Sequence, residues 1–202
     1  MLRRTYDWIL HWAETPWGGT ALFVLALAES SVFPIPPDVL LIALCLGCPA
    51  KSFKYALICT TGSIAGAVIG YLIGHIAWLD SAGEFTPFAD FFFTNIPGFT
   101  HQIYEEVRLM FEQYSFWLVF TAGFTPIPYK LITITSGVFN INFPIFIIAS
   151  IVSRGARFVL ISWLIWRFGP SIKSFIDKYF NLLAIAFTVL LIGGFVLIKY
   201  VM

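Results

Sequence analysis

Two long apolar stretches of this chain are interrupted by the same tripeptide, Pro-Ile-Pro. The interruptions occupy residues 34–36 and 126–128, which places them 92 residues apart (126 − 34). A short apolar segment that closes on glycine follows each interruption, and a much longer hydrophobic segment comes next. Because proline removes a backbone donor and breaks a helix, each stretch should form two short helical arms joined at a break. The repetition predicts two copies of one helical unit.

The arms are too short to cross a membrane, whereas the segments that follow them are long enough. Residues 20–33 would form about 21 Å of helix and residues 38–46 about 14 Å, against a hydrocarbon core of roughly 30 Å. Residues 53–78 can cross, and so can a segment that begins at Asn142 or Pro144 and ends near residue 169. We therefore expect each pair of arms to enter the membrane and return to the same side as a re-entrant hairpin.

The remaining segments complete an all-α integral membrane protein. Residues 2–12 mix charges with Tyr6, Trp8 and Trp12, a composition typical of a helix at the membrane surface. We predict a single domain over residues 1–202, with two inverted repeats, each a re-entrant hairpin followed by a transmembrane helix. Repeat 1 spans about 17–78, a polar linker 79–114, repeat 2 about 115–169, and a C-terminal transmembrane helix 180–200.

Composition agrees with this architecture and argues against other classes. The chain has 202 residues, of which 59% are hydrophobic and 11% charged, and its mean hydropathy is +0.86. An average soluble domain is about 25% charged. No basic stretch indicates nucleic-acid binding, and the three cysteines and three histidines do not gather into a metal-ligand pattern. We therefore expect no cofactor, no metal and no enzymatic activity.

Basic residues separate across the predicted topology. If each hairpin returns the chain to its starting side, seven lysines and arginines share the face of the N-terminus, and two lie on the other face. The positive-inside rule then places the N-terminus in the cytoplasm. A single crossing by residues 17–47 would instead move Lys51 and Lys54 to the acidic face. The seven are Arg3, Arg4, Lys51, Lys54, Arg167, Lys173 and Lys178, and the two are Arg108 and Lys199.

Five charged residues remain at membrane depth, where ionisable groups are costly and usually face a partner, a pocket or a water path. Glu29 and Asp38 flank the first break and Lys130 follows the second, while Arg154 and Arg157 lie on one face of the second crossing. The excess of cations predicts a polar chamber where Arg154, Arg157 and Lys130 bind an anionic headgroup. Glu29 and Asp38 would exchange protons with solvent. Alternatively, the two acids pair with the two arginines to hold the hairpins in place; both interpretations can hold together.

Three segments resemble the DedA (SNARE-associated, or VTT) superfamily, and specifically its YqaA-like branch. They are Glu-Ser-Ser-Val-Phe-Pro-Ile-Pro-Pro-Asp at 29–38, Gly-Phe-Thr-Pro-Ile-Pro-Tyr-Lys at 123–130 and Ser-Arg-Gly-Ala-Arg-Phe at 153–158. The opening Leu-Arg-Arg-Thr-Tyr-Asp-Trp and the closing Gly-Gly-Phe-Val-Leu-Ile-Lys-Tyr at 193–200 are also similar. The resemblance therefore covers nearly the whole chain, and the combination is far more specific than Pro-Ile-Pro alone.

The resemblance implies a multi-pass protein of the bacterial inner membrane with two inverted re-entrant hairpins. It also implies flipping or recycling of phospholipids or undecaprenyl phosphate, supported by an ion gradient. The family's acidic residues correspond to Glu29 and Asp38. Its second-hairpin arginine motif is altered, because Gly123 and the pair Tyr129-Lys130 stand at the arginine positions, and Arg154 and Arg157 are candidates to compensate. The hairpin breaks correspond to Pro34, Pro36, Pro37, Pro126 and Pro128.

Three functions follow as hypotheses. The first, which we favour, is a lipid transporter or flippase with protons as a second partner, because charged residues lie beside two broken helices. The second is a non-transporting inner-membrane protein that supports envelope integrity by binding partners. The third, an enzyme acting on lipid phosphates, is disfavoured because His11, His75 and His101 are scattered. The lipid, the direction of transport, the coupling ion and the existence of a homo-oligomer stay open.

Overall fold

The computed structural model describes residues 17–32, 36–80, 82–95, 100–125 and 128–169. The predicted N-terminal surface helix, the C-terminal crossing, and the break residues Pro34 and Pro126 lie outside these ranges. The described part is helical, with one isolated bridge between Leu79 and Phe85. Its α-helices are α1 (Gly18–Ser31), α2 (Asp38–Gly47), α3 (Ser52–Trp78), α4 (Pro87–Asn95), α5 (His101–Phe124), α6 (Tyr129–Val138) and α7 (Phe143–Phe168).

The same order of elements occurs twice in the described residues. A helix ends before a break, a helix of 10 residues follows it, and a long helix comes next: α1, α2 and α3, then α5, α6 and α7. The starts of α2 and α6 differ by 91 positions (129 − 38), and so do those of α3 and α7 (143 − 52). With 27 and 26 residues, α3 and α7 are long and apolar enough to cross a membrane.

The start of α7 illustrates how the local sequence sets a helix boundary. The side chain of Asn142 accepts a hydrogen bond from the backbone N–H of Ile145 at 3.1 Å, which satisfies one of the donors left free at a helix start. Pro144 lies in the first turn, where the missing N–H of proline costs nothing. The same two residues were the alternative starting points predicted from sequence.

Helix α5 differs from the prediction in one respect. The sequence predicts a polar linker (79–114) separate from repeat 2 (about 115–169), but one helix crosses that boundary, with a kink at Tyr114. Tyr114 has non-helical dihedral angles (φ −115°, ψ 16°). The kink coincides with the change from charged to apolar sequence, which is also the predicted boundary between linker and repeat 2.

A stripe of glycines on α3 brings three helices into backbone contact. Gly62 faces the backbone of Phe23 and Gly66 that of Leu27, both on α1, and Gly74 faces the backbone of Ile134 on α6. A side chain at any of these glycines would collide with the facing backbone. Small residues at four-residue spacing allow such close approach. Since the contacts advance along both helices together, α1 runs parallel to α3.

The two long helices run antiparallel. At one end the rings of Phe53 and Trp166 are in contact, with centroids 5.8 Å apart, and at the other the ring centroids of Tyr71 and Phe146 are 5.2 Å apart. Helix α2 follows the direction of α7, because Asp38 contacts Arg157 at its start and Cys45 contacts Ser162 near its end. Thus α1 runs parallel to α3 and α2 runs antiparallel to both, so α1 and α2 form a helical hairpin that ends near the start of α3.

Polarity is distributed in the reverse of the usual soluble pattern. Large apolar side chains of α3 and α7 are exposed, whereas the serines of the same two helices are buried. In a soluble protein the apolar groups would be covered and the hydroxyls would face water. An exposed apolar surface of this extent marks a face that contacts lipid or another protein. The exposed side chains include Leu57, Ile69, Leu72, Ile73, Ile76, Ile148, Ile151, Val152, Val159 and Leu160; the buried serines are Ser52, Ser63, Ser150, Ser153 and Ser162.

Candidate functional site

Two cations bind the helix ends that flank the two breaks. Lys130, which follows the second break, donates from Nζ to the carbonyl oxygen of Val32, which precedes the first break, at 3.1 Å. Arg157 donates from Nη1 to the carbonyl oxygen of Phe124, which precedes the second break, at 3.1 Å. Val32 and Phe124 are 92 positions apart (124 − 32) and so occupy equivalent places in the two repeats. Each cation therefore satisfies a carbonyl at the negative end of a broken helix.

Arg157 also binds Asp38, the first residue of the returning arm α2. Its Nε and Nη2 donate to Oδ1 and Oδ2 of Asp38, each at 3.1 Å, which is the bidentate geometry of a strong guanidinium–carboxylate pair. Both side chains are mostly buried, with exposed fractions of 17% for Arg157 and 16% for Asp38. Through its three donors, Arg157 connects the residue after the first break to a residue before the second.

Arg154 forms a second ion pair, deeper in the protein. Its Nη2 donates to Oε2 of Glu29 at 2.6 Å and its Nε to Oγ of Ser63 at 2.7 Å. Only 3% of the Arg154 side chain and 11% of that of Glu29 are exposed. The pair joins α7 to α1, with Ser63 of α3 between them.

Two serines close this pair into a ring of hydrogen bonds. Arg154 can only donate, so the Ser63 hydroxyl accepts from it and directs its own proton to Ser30 Oγ, 2.7 Å away. Ser30 in turn donates to Oε2 of Glu29 at 3.2 Å. Every proton in the ring thus has one acceptor, and Glu29 collects two donors on the same oxygen. Hydrogen bonds of this kind offset the cost of burying the two charges.

Aromatic rings fix the Arg154 guanidinium from two further directions. Its central carbon lies 4.8 Å from the ring centroid of Tyr129 and 4.7 Å from that of Phe158, distances at which a cation is attracted to a ring face. The Tyr129 hydroxyl lies 2.6 Å from Oγ of Ser150. Tyr129 is fully buried, so its ring is itself held in place. Arg154 is therefore a tightly fixed charge.

The tip of α1 is held by α6 as well. The Thr133 hydroxyl lies 2.9 Å from the carbonyl oxygen of Ser30, another group left without an intrahelical partner at the end of α1. Gly70 of α3 lies against both Thr133 and Ser30. Gly70 is in the second half of α3, and Arg154 and Arg157 flank the middle of α7, so the helix ends beside the breaks lie along the interior of the long helices and not at their ends.

The predicted charged residues are all found at these contacts. Glu29 pairs with Arg154 and Asp38 with Arg157, which is the arrangement of the alternative interpretation, while Lys130 caps α1. At the breaks, Pro37 is buried and precedes α2, whereas Pro36 and Pro128 are exposed. Within the described ranges, no group of three or more His, Cys, Asp or Glu side chains is placed to hold a metal ion.

Sequence reasoning missed the neutral residues of the site. These residues share a hydroxyl group and complete burial, and they connect the charged groups to the backbone and to one another. Serine and threonine are common in membrane helices, so these residues carried no signal in the sequence. Their proximity to the glycine contacts, which the structure shows, is what marks them. The missed residues are Ser30, Ser63, Thr133 and Ser150; Tyr129 was noted only as standing at an arginine position of the resembled motif, without its contact to Arg154.

Known proteins similar to this chain fall in one family. Residues 35–167 match the model described as the VTT domain, a range that contains Asp38, Lys130 and both arginines. An uncharacterized protein of Haemophilus influenzae is 31% identical over 196 residues, or 96% of each chain. An uncharacterized homologue from Histophilus somni is 32% identical over 160 residues, covering 79% of this chain and 78% of the relative. No solved structure matches. The chain belongs to the VTT-domain (DedA, SNARE-associated) family of membrane-associated proteins.

Proposed function

We propose that this protein moves lipids with an anionic or zwitterionic phosphate headgroup, phospholipids or polyprenyl phosphates, across the bacterial inner membrane. The observation that carries the proposal is the meeting of two breaks at two buried ion pairs, Glu29–Arg154 and Asp38–Arg157. A broken helix inside a membrane needs protein or a polar cavity around its free backbone groups. Where broken helices of two repeats meet, they typically form a transport site.

The distribution of charge between the repeats supports a moving site. At this level repeat 1 contributes two carboxylates, Glu29 and Asp38, and repeat 2 contributes three cations, Lys130, Arg154 and Arg157. Separation of the repeats would break both ion pairs and leave opposite charges on the two sides. A phosphate headgroup can compensate the cations, and protons can compensate the carboxylates. Lipid and proton would then both favour the same opened arrangement.

The orientation in the membrane follows from the packing and the charges. In this proposal α3 and α7 cross in opposite directions, and the hairpins α1–α2 and α5–α6 dip in from opposite faces. The N-terminus and residues 48–54 lie in the cytoplasm, on the basic face. The linker with Asp80, Glu84 and Asp90 lies on the periplasmic face.

The test is lipid movement in vesicles that contain the purified protein. Fluorescent phospholipid on the inner leaflet should become accessible to an external quencher faster than in empty vesicles. Glu29→Gln and Arg157→Ala should abolish this gain, because each breaks an ion pair at the breaks. Arg108→Ala is the matched control, since Arg108 pairs with Glu105 and Glu112 on the exposed part of α5.

The rival function is a non-transporting protein that supports envelope integrity. It is favoured by the observation that both acids are paired within the protein, as a purely structural role requires. Wild-type protein that moves no lipid beyond empty vesicles, with Glu29→Gln and Arg157→Ala variants that only lose thermal stability, would establish the rival. Phosphate release from lipid by pure protein would instead indicate an enzyme.

A further inference from the structure

We propose that Asp38 occupies the place of a headgroup phosphate on Arg157, so that a lipid must displace this carboxylate in order to bind. The inference rests on the transport function above and gives the two arginines different roles. Arg157 becomes the headgroup ligand, and Arg154 becomes a fixed charge that positions the first hairpin. Asp38 is then an internal competitor of the substrate.

The geometry of Arg157 fits an exchange of ligands. Asp38 presents two oxygens to Nε and Nη2, both at 3.1 Å, and a phosphate presents two oxygens to the same guanidinium edge. The remaining contact, from Nη1 to the Phe124 carbonyl at 3.1 Å, is to a neutral group and can be kept while the carboxylate leaves. A phosphate can therefore take the position of Asp38 without any movement of α7.

Arg154 does not permit the same exchange. Only 3% of its side chain is exposed, and the Tyr129 and Phe158 rings lie within 5 Å of its guanidinium carbon. Its carboxylate partner is also bound by Ser30, and Ser63 holds the Nε edge. A headgroup could reach this guanidinium only by dismantling the ring of hydrogen bonds and the aromatic contacts. The more exposed pair, Asp38–Arg157, is the one that a ligand meets first.

The position of Asp38 in the chain makes displacement feasible. Asp38 is the first residue of α2, directly after the break, whereas Glu29 lies inside α1, whose backbone at Leu27 and Ser30 packs against the glycine stripe of α3. Since Pro37 and Leu41 are fully buried, we expect Asp38 to leave Arg157 by rotation of its side chain while the start of α2 stays in place. The charges also balance: Glu29, Asp38, Lys130, Arg154 and Arg157 sum to one positive charge, which one phosphodiester neutralises.

The experiment measures equilibrium binding of dihexanoyl phosphatidylglycerol to the full-length protein in dodecyl maltoside by calorimetry. Asp38→Asn should tighten binding by on the order of tenfold, because the like-charged competitor is gone. In the Asp38→Asn background, Arg157→Gln should abolish binding, and Arg157→Lys should weaken it by about tenfold because a lysine lacks the bidentate edge. Asp38→Ser gives the same comparison if the asparagine variant does not fold.

Controls separate displacement from general electrostatics and separate a lipid from free phosphate. Glu105→Gln removes an exposed carboxylate that is hydrogen-bonded to Arg108 at 2.8 Å, and it should leave the affinity unchanged. Dihexanoylglycerol tests the lipid tails alone, and inorganic phosphate tests the headgroup alone. If Asp38→Asn tightens the binding of inorganic phosphate as much as it tightens the binding of the phospholipid, the site binds a free anion and not a lipid.

Two outcomes would overturn the inference. One is an Asp38→Asn affinity equal to or weaker than that of the wild type; the other is equal tightening by Glu29→Gln, which would show that any lost carboxylate has this effect. Neither result depends on transport. Vesicles that show no lipid movement while Asp38→Asn tightens binding would defeat the proposed function and leave the displacement of Asp38 intact.

Discussion

At the scale of single residues, the site shows which features a sequence can reveal. The five charges were identifiable because each lies in an otherwise apolar segment, where an ionisable group needs a reason to be present. Their pairing was only one of two interpretations, since Glu29 and Arg154 are 125 positions apart and no local rule connects them. Ser63 was invisible because a serine inside a glycine-rich helix carries no signal of its own. Its role as a link between Arg154 and Ser30 is seen only in the structure, where Arg154 can only donate and Ser63 must therefore accept.

The Glu29–Arg154 pair predicts a strongly non-additive response to mutation. Glu29→Leu should lower stability by about 3–5 kcal/mol, because it leaves the buried Arg154 charge without a partner. Replacing both residues, as Glu29→Leu with Arg154→Met, should recover most of this loss, since an apolar pair needs no compensation. Thermal unfolding in detergent, followed for the wild type, both single variants and the double variant, gives the comparison. A double variant as unstable as Glu29→Leu alone would show that the pair does not act as a unit.

At the scale of elements, the breaks are supported by neighbours that the sequence did not specify. Arm lengths and proline positions predicted where helices end, because those are local properties of the chain. The partners of the freed carbonyls come from the other repeat: Lys130 for Val32 and Thr133 for Ser30. The glycine stripe of α3 packs against both α1 and α6. The sequence could not predict that one stripe contacts both hairpins, because this depends on the register between helices, which is a property of tertiary structure.

Two glycines on the long helices provide a matched test of this packing. Gly66→Ala should destabilise the protein by about 1–3 kcal/mol, because the added methyl group collides with the backbone of Leu27 and α1 must move away. Gly155→Ala on α7 should be neutral or slightly stabilising. There the nearest atom, Cγ2 of Thr60, would lie at an ordinary contact distance of 3.8 Å, and alanine is the better helix former.

Thermal unfolding of the two alanine variants under identical conditions decides the point. A lower melting temperature for Gly66→Ala together with an unchanged one for Gly155→Ala is the expected result. Equal losses would mean that any methyl group in these helices is harmful, and equal tolerance would mean that α1 does not approach α3 as closely as described.

At the scale of the whole molecule, the repeat explains why two hairpins of different chemistry form one site. The arms and long helices recur at nearly constant spacing, yet the first repeat supplies carboxylates and the second supplies cations. Identical repeats would place like charges at the facing breaks and repel each other. Opposite charges instead attract, so the sequence difference between the repeats is what brings the breaks together. The period was readable from Pro-Ile-Pro, and the antiparallel packing of α3 and α7 is the one that the predicted inverted repeats require; the pairing of individual charges was not readable.

The same arrangement makes a prediction about membrane topology that distinguishes a hairpin from a crossing. Because α1 and α2 return the chain to the start of α3, Arg3 and Lys51 should lie on the cytoplasmic side and Glu84 on the periplasmic side. If α1 and α2 crossed together as one span, Arg3 and Lys51 would lie on opposite sides.

Single cysteines at these positions, in a chain with Cys45, Cys48 and Cys59 replaced by serine, report the side through a membrane-impermeant maleimide. Labelling of Glu84→Cys in intact spheroplasts, with Arg3→Cys and Lys51→Cys labelled only after permeabilisation, is the expected pattern. External labelling of either Arg3→Cys or Lys51→Cys alone would rule out the returning hairpin, and with it a site formed by two breaks at the same depth.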